Sequence, residues 1–120
     1  MIVTMKRKTI LKHSDFVTPP DSIIGRSEFF IIRTKLPTIP GDARYGLVAP
    51  KRSFKLAVQR NRAKRLIRDW IAHNENLMLP NYDYIFIVNY DVLTSTRANG
   101  RYEVKWALKK ITKLIYPDEN

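Results

Sequence analysis

The 120-residue chain contains no cysteine. That excludes a disulfide framework, a thiolate metal site and a cysteine nucleophile, and it suits a reducing compartment. There is also no run of apolar residues near the roughly 18 needed to cross a bilayer, and the opening stretch "MIVTMKRKTILKHSDF" has too short an apolar segment for a signal peptide. The expectation is a cytoplasmic protein with no membrane partner. Acidic residues are scarce, with 11 Asp and Glu against 22 Lys and Arg, a formal charge of +11. Such a field favours a polyanion: RNA, DNA or an anionic membrane surface. Only two histidines are present. His13 is remote in sequence from His73, and His73 near Asp69 reads as an exposed helix end before it reads as a nuclease acid/base pair. The carboxylates are scattered, with no clustered set for a two-metal nuclease, no P-loop and no nucleophile elbow. Catalysis by the protein's own groups is not expected.

The length suits one domain. Residues 1–12 read as a flexible basic arm and 13–117 as a single α/β domain. "KHSDF" opens a short helix with Ser14 as N-cap, stopped by Pro19 and Pro20. "SEFFIIRTKL" and "ARYGLVAP" read as strands, separated by the "PTIPGD" loop. A helix is predicted from about Leu56 to Asn74, a central strand over "YDYIFIVNY", a loop over "LTSTRANGR", and a last helix from about Arg101 to Tyr116. Val104, Ala107, Leu108, Ile111, Leu114 and Ile115 form the apolar stripe of that last helix. One small sheet with helices packed mainly on one face is the simplest architecture, an α+β sandwich.

What the chain does have is concentrated. Between Asp42 and Asp69 lie nine basic residues and no acid. Within this stretch, "AVQRNRAKRLIRDW" holds four arginines and a lysine on a helical pattern. At 100° per residue, with Arg60 at zero, Ala63, Leu66, Ile67, Trp70 and Ile71 fall between about 240° and 20°, while Lys64, Arg68, Asn61 and Arg65 fall between about 40° and 140°. Arg60 and Arg62 flank the charged face. Like charges at i,i+4, as in Arg60/Lys64 and Lys64/Arg68, destabilise a free helix by about 0.2 to 0.5 kcal/mol each, so the arrangement makes sense when phosphates interpose. The planar fork of arginine grips phosphate oxygens with two hydrogen bonds, and Asn61 adds a neutral donor and acceptor for a base edge or 2′-OH. A strand and a basic loop precede this helix, which argues against a helix-turn-helix DNA reader. An amphipathic membrane helix is disfavoured because the apolar face is needed for the core.

At "RNRAKRLIRDW" the sequence resembles the bacterial ribonuclease P protein component, whose signature continues as RNRxKRxxRE. Arg60, Asn61, Arg62, Lys64, Arg65 and Arg68 match, with Asp69 in place of the usual Glu. Upstream, "RYGLVAPKR" is similar to the family's "RxGLxVSKK" through Arg44, Gly46, Leu47, Lys51 and Arg52, and "LKHSDF" resembles its "LKxxxDF". The likeness extends over roughly residues 10 to 116. It implies a four-stranded sheet with a left-handed βαβ crossover through the Arg-Asn-Arg helix. It also implies the protein subunit of an RNA-based endonuclease that removes the 5′ leader of precursor tRNA, with the catalytic groups and Mg²⁺ in the RNA subunit. By the same resemblance Arg60, Asn61, Arg62, Lys64, Arg65 and Arg68 would contact the catalytic RNA, and Phe16, Phe30, Ile32, Arg44, Lys51 and Arg52 the precursor-tRNA leader. No protein partner is required. The sequence departs from the family at Pro20, at Ile32 in place of a cleft tyrosine, and at "KRSFKLAV" in place of a glycine-bearing basic loop. The alternative is a stand-alone basic RNA-binding module of ribosomal-protein type.

Overall fold

The computed structural model describes residues 8–9, 22–36 and 41–117. Five strands form one sheet: β1 (Lys8–Thr9), β2 (Ile23–Arg26), β3 (Phe30–Lys35), β4 (Arg44–Val48) and β5 (Asp83–Val88), in the order β1-β4-β5-β3-β2. Two helices, α1 (Ala57–His73) and α2 (Arg97–Ile115), complete the α+β architecture. The three strands read from the residues are β3, β4 and β5, and the four-stranded sheet that the resemblance implied has five strands here. β1 adds a two-residue parallel rung on β4, within the stretch read as an arm. β2 was not foreseen, because four residues, one of them Gly25, are too few to show alternation. The helix expected around Ser14, with Pro19 and Pro20, lies outside the described residues.

β4 and β5 are parallel neighbours joined through α1, which makes a βαβ unit, while β3 runs antiparallel to both β5 and β2. The register sorts side chains by face, since paired residues share one. Phe30 pairs with Val88, Ile32 with Phe86 and Thr34 with Tyr84, all buried towards the helices. Tyr45 and Leu47 join them from β4, half-buried against the same core. Ile31, Arg33, Ile85, Ile87 and Arg44 occupy the other face. On that face the buried Asp83 carboxylate accepts from Arg44, with Nε at 2.9 Å from Oδ1. Asn81, in a left-handed conformation at φ 66°, ties the loop before β5 to the one before β4: its N–H donates to the Gly41 carbonyl, and its Oδ1 accepts from the Gly41 N–H at 2.8 Å.

α1 turns Ala63, Ile67, Trp70 and Ile71 into the core, with Leu66 half-buried at its edge, as the apolar stripe predicted. α2 buries Val104, Ala107, Leu108 and Ile111, but Leu114 is exposed. The helix starts four residues before the predicted Arg101. Thr96 caps it, its Oγ1 accepting from the Asn99 N–H at 3.1 Å. "NG" within "TRANGR" reads locally as loop chemistry. Here Gly100 lies within the helix that Thr96 caps, and Trp70 packs directly against it. A Cβ at position 100 would stand 2.0 to 2.4 Å from three carbons of the indole. The Phe29 ring packs against Trp70 at 5.9 Å, and the buried Asn74 amide donates to the carbonyls of Trp70 and Arg101, both at 2.9 Å.

The same helix pair carries an ion bridge. Arg101 donates to both oxygens of Asp69, Nε to Oδ2 at 3.2 Å and Nη2 to Oδ1 at 3.0 Å, and Arg97 Nε lies 3.8 Å away. The Arg101 hydrogen bonds hold the Asp69 carboxyl below its ordinary value, helped by the charges of Arg101, Arg97 and His73, and desolvation opposes them without prevailing.

Two consequences can be measured. Gly100→Ala gains up to about 1 kcal/mol of helix propensity but must push the indole aside, and overpacking of about 1 to 3 kcal/mol should prevail. The variant should melt several degrees below the parent, and equal or higher melting would show that the helices are free to part. Asp69 is depressed in the folded state, so its contribution is present above the unfolded carboxyl range and is lost as pH falls through the folded value. Asp69→Asn should therefore lower the melting temperature at neutral pH, modestly because the carboxylate is 39% exposed, and the gap from the parent should close in acid. A gap independent of pH would remove the ion bridge from the account.

Candidate nucleic-acid interface

α1 is held to the sheet and to α2 by its apolar stripe, so its opposite face is fixed outward. Asn61, Arg62, Arg65 and Arg68 are exposed there, and Lys64 is half-buried at the margin. This is the placement that the 100° spacing predicts. Arg60 is different. It is half-buried, and its Nη1 donates to the Phe54 carbonyl at 2.7 Å, pinning the turn that leads into the helix. Phe54 itself is fully buried and anchors that turn, while Lys51 and Arg52 on it are exposed. The helix begins at Ala57, with Leu56 at the cap position providing no side-chain hydrogen bond, and has no acid in its first turn. Its positive dipole end therefore adds to the cations around it instead of being neutralised.

A groove of about 340 Å³ runs beside this face, lined by Arg62, Arg65, Leu66, Asp69, Trp70 and Arg97. Asp69 is engaged by Arg101, so the groove's unbalanced charge is positive. Arg97 is a residue that sequence reasoning missed. Its signal was the position of the Thr96 cap, which brings the first turn of α2 up to α1.

Among the described residues, those assigned to a leader cleft do not share one exposed surface. Phe30 and Ile32 are 1% and 0% exposed, on the helix-facing side of β3. They are core residues and cannot stack a base. The alternation of β3 puts Ile31 and Arg33 on the other side instead. Arg44 is on that other side as well, but its guanidinium is committed to the buried Asp83 carboxylate, so it balances an internal charge. Phe16 and His13 lie outside the described residues. His73 is exposed at the end of α1. Among the described residues no three His, Asp or Glu side chains stand together as a metal-binding group, and no helix is long and apolar enough to cross a membrane.

Comparison with known proteins bears on the family and the fold. The ribonuclease P protein component of Pseudomonas paraeruginosa is 39% identical over 72 residues, 60% of this chain and 50% of that protein. The one from Vibrio campbellii is 48% identical over 44 residues, 37% of this chain and 36% of that protein. The chain thus spans about half the length of the first of these curated relatives, and less of the second. Among solved structures, the RNase P protein of Staphylococcus aureus superposes with a TM-score of 0.70 at 23% identity, covering 87% of this chain and 94% of that one. The RNase P protein of Thermotoga maritima superposes at 0.64 and 18% identity, covering 75% and 84%. At such identities these two likenesses speak for the fold. A family model described as Ribonuclease P matches residues 5–112, nearly the whole sequence, and the chain belongs to that family.

Proposed function

We propose that the chain is the protein subunit of ribonuclease P and that it acts in 5′ maturation of tRNA by binding RNA, not by catalysis of its own. The observation that carries this is the outward face of α1, where Asn61, Arg62, Lys64, Arg65 and Arg68 project from a helix whose other side is locked into the core. In this reading the face binds the catalytic RNA, Arg60 holds the helix start in place, and Arg97 extends the cationic surface across the groove. Arginine forks on a rigid helix match phosphate oxygens at fixed spacing without ordering long side chains from a mobile loop.

The 5′ leader of precursor tRNA is the second RNA in this reading. Lys51 and Arg52 offer it exposed cations, and Phe16 offers a ring for an unpaired base. Mg²⁺ is assigned to the RNA, whose phosphate oxygens are the hard ligands it prefers. A cytoplasmic location goes with that role.

The test is reconstitution. The chain, mixed with a bacterial ribonuclease P RNA, should promote removal of the leader from precursor tRNA at Mg²⁺ concentrations where the RNA alone is slow, and the chain freed of RNA should cleave nothing. General RNA binding without stimulation would favour the stand-alone module instead. Cleavage by RNA-free protein would move the chemistry into the protein. Within the reconstituted enzyme, Arg65→Ala and Arg68→Ala should each weaken assembly with the RNA while leaving the melting temperature almost unchanged, because both side chains are exposed. Each lost phosphate contact should reduce the slope of log affinity against log salt by about 0.7 to 0.9. A variant that assembles normally but melts far lower would place that arginine in the fold's own packing.

A further inference from the structure

The outer face of α2 carries a second concentration of chemistry that the Arg-Asn-Arg helix does not explain. At 100° per residue, Tyr102, Trp106, Lys109 and Lys113 fall within about 60° of one another, opposite Val104, Ala107, Leu108 and Ile111. Tyr102 and Trp106 are 55% and 49% exposed, and their rings meet edge to face at 6.1 Å between centroids. Cations surround the indole, with Lys109 Nζ at 5.2 Å and Lys105 Nζ at 5.8 Å from its centroid. From Val104 to Pro117 the chain has four lysines and no acid. Glu103, just before, is turned away to accept from the Ser27 hydroxyl at 2.9 Å. Lys105, Lys109 and Lys113 repeat at i,i+4, where like charges repel, so the helix gains nothing from them alone.

We propose that this face of α2 binds unpaired nucleotides of an RNA strand, with Trp106 and Tyr102 as stacking surfaces and Lys105, Lys109, Lys110 and Lys113 facing the phosphates. The charge complementarity chooses the occupant. A second copy of the chain would set four lysines against four. A bilayer would need a continuous apolar face, and the apolar face of α2 is spent on the core. A duplex keeps its base faces stacked inside, whereas unpaired bases present them to aromatic side chains. From Tyr102 to Lys113 the face is about 16 Å long, enough for a short single-stranded segment. This surface is separate from the α1 face and does not depend on the reading given above.

The chain reports on the site itself. It has two tryptophans, of which Trp70 is fully buried and Trp106 is exposed. Titrating the full chain with a short oligouridylate should quench the Trp106 emission. Trp106→Phe should lack that change, and Tyr102→Ala should shift its midpoint to higher RNA concentration, by roughly 5-fold or more when one stacking contact is lost. An RNA duplex of matching length should quench less. The Arg65→Ala and Arg68→Ala variants should keep the quench with a midpoint within about twofold of the parent, because the two faces lie on different helices and distant sites behave independently. Absence of quenching when anisotropy of a labelled oligonucleotide shows saturation would overturn the proposal. So would quenching that vanishes with the α1 arginines. Quenching by protein concentration alone, or by anionic vesicles in preference to RNA, would assign the face to self-association or to a membrane and also overturn it.

Discussion

Trp70 lying against Gly100 is the contact on which the rest of the arrangement depends. An indole on one helix and a residue without a side chain on the next bring α1 and α2 closer than any Cβ at position 100 would allow. That contact fixes the rotation of α1 about its own axis, because the indole has one direction in which to point. Phe29 closes over the ring from the sheet side, and Asn74 joins the end of α1 to α2 through two backbone carbonyls. Once Trp70 is inward, the 3.6-residue period leaves Asn61, Arg65 and Arg68 no choice but to face outward. A packing decision made in the core thus sets the electrostatics of the surface.

α1 would be a poor helix on its own. It starts without a side-chain cap, carries no acid in its first turn, and repeats cations at i,i+4. The single acid among its middle residues, Asp69, does not neutralise the helix's own arginines. It reaches across to Arg101 and Arg97 of α2. Burial of Trp70, Ile67, Ile71 and Ala63 offsets these local costs, since helices in proteins draw most of their stability from packing an apolar face. The positive field that remains is the property a polyanionic partner would use.

Much of this was legible in the chain. The stripe of α1, the central position of β5 and the outward Arg-Asn-Arg face all follow from strong periodicity over many residues. What was not legible depended on tertiary context. β2 is too short to show a period. The first turn of α2 is written in residues that favour a loop, and the indole that requires a glycine at position 100 comes from another helix. The faces of β3 could be sorted by alternation but not labelled, because Phe30 with Ile32 and Phe29 with Ile31 are both apolar pairs until the helices are placed. The aromatic chemistry of Phe30 suggested a base-stacking cleft, and the helices claimed it for the core. Arg44 looked like a free cation because its partner, Asp83, comes from a strand 39 residues away.

The two-layer architecture also explains why the charge is divided as it is. The helix layer spends the apolar sides of both helices on one face of the sheet, so each presents its polar side to solvent. On α1 that side is arginine-rich with an amide; on α2 it is lysine-rich with two aromatic rings. The chemical difference is meaningful. Arginine forks fit the fixed phosphate geometry of a folded RNA, whereas mobile lysines beside stacking rings suit a strand whose backbone adapts. On the other face of the sheet, the Arg44 charge is balanced internally by Asp83, so that arginine adds little to the outward field. The excess of positive charge along the helix layer therefore follows from which residues the core could not accommodate.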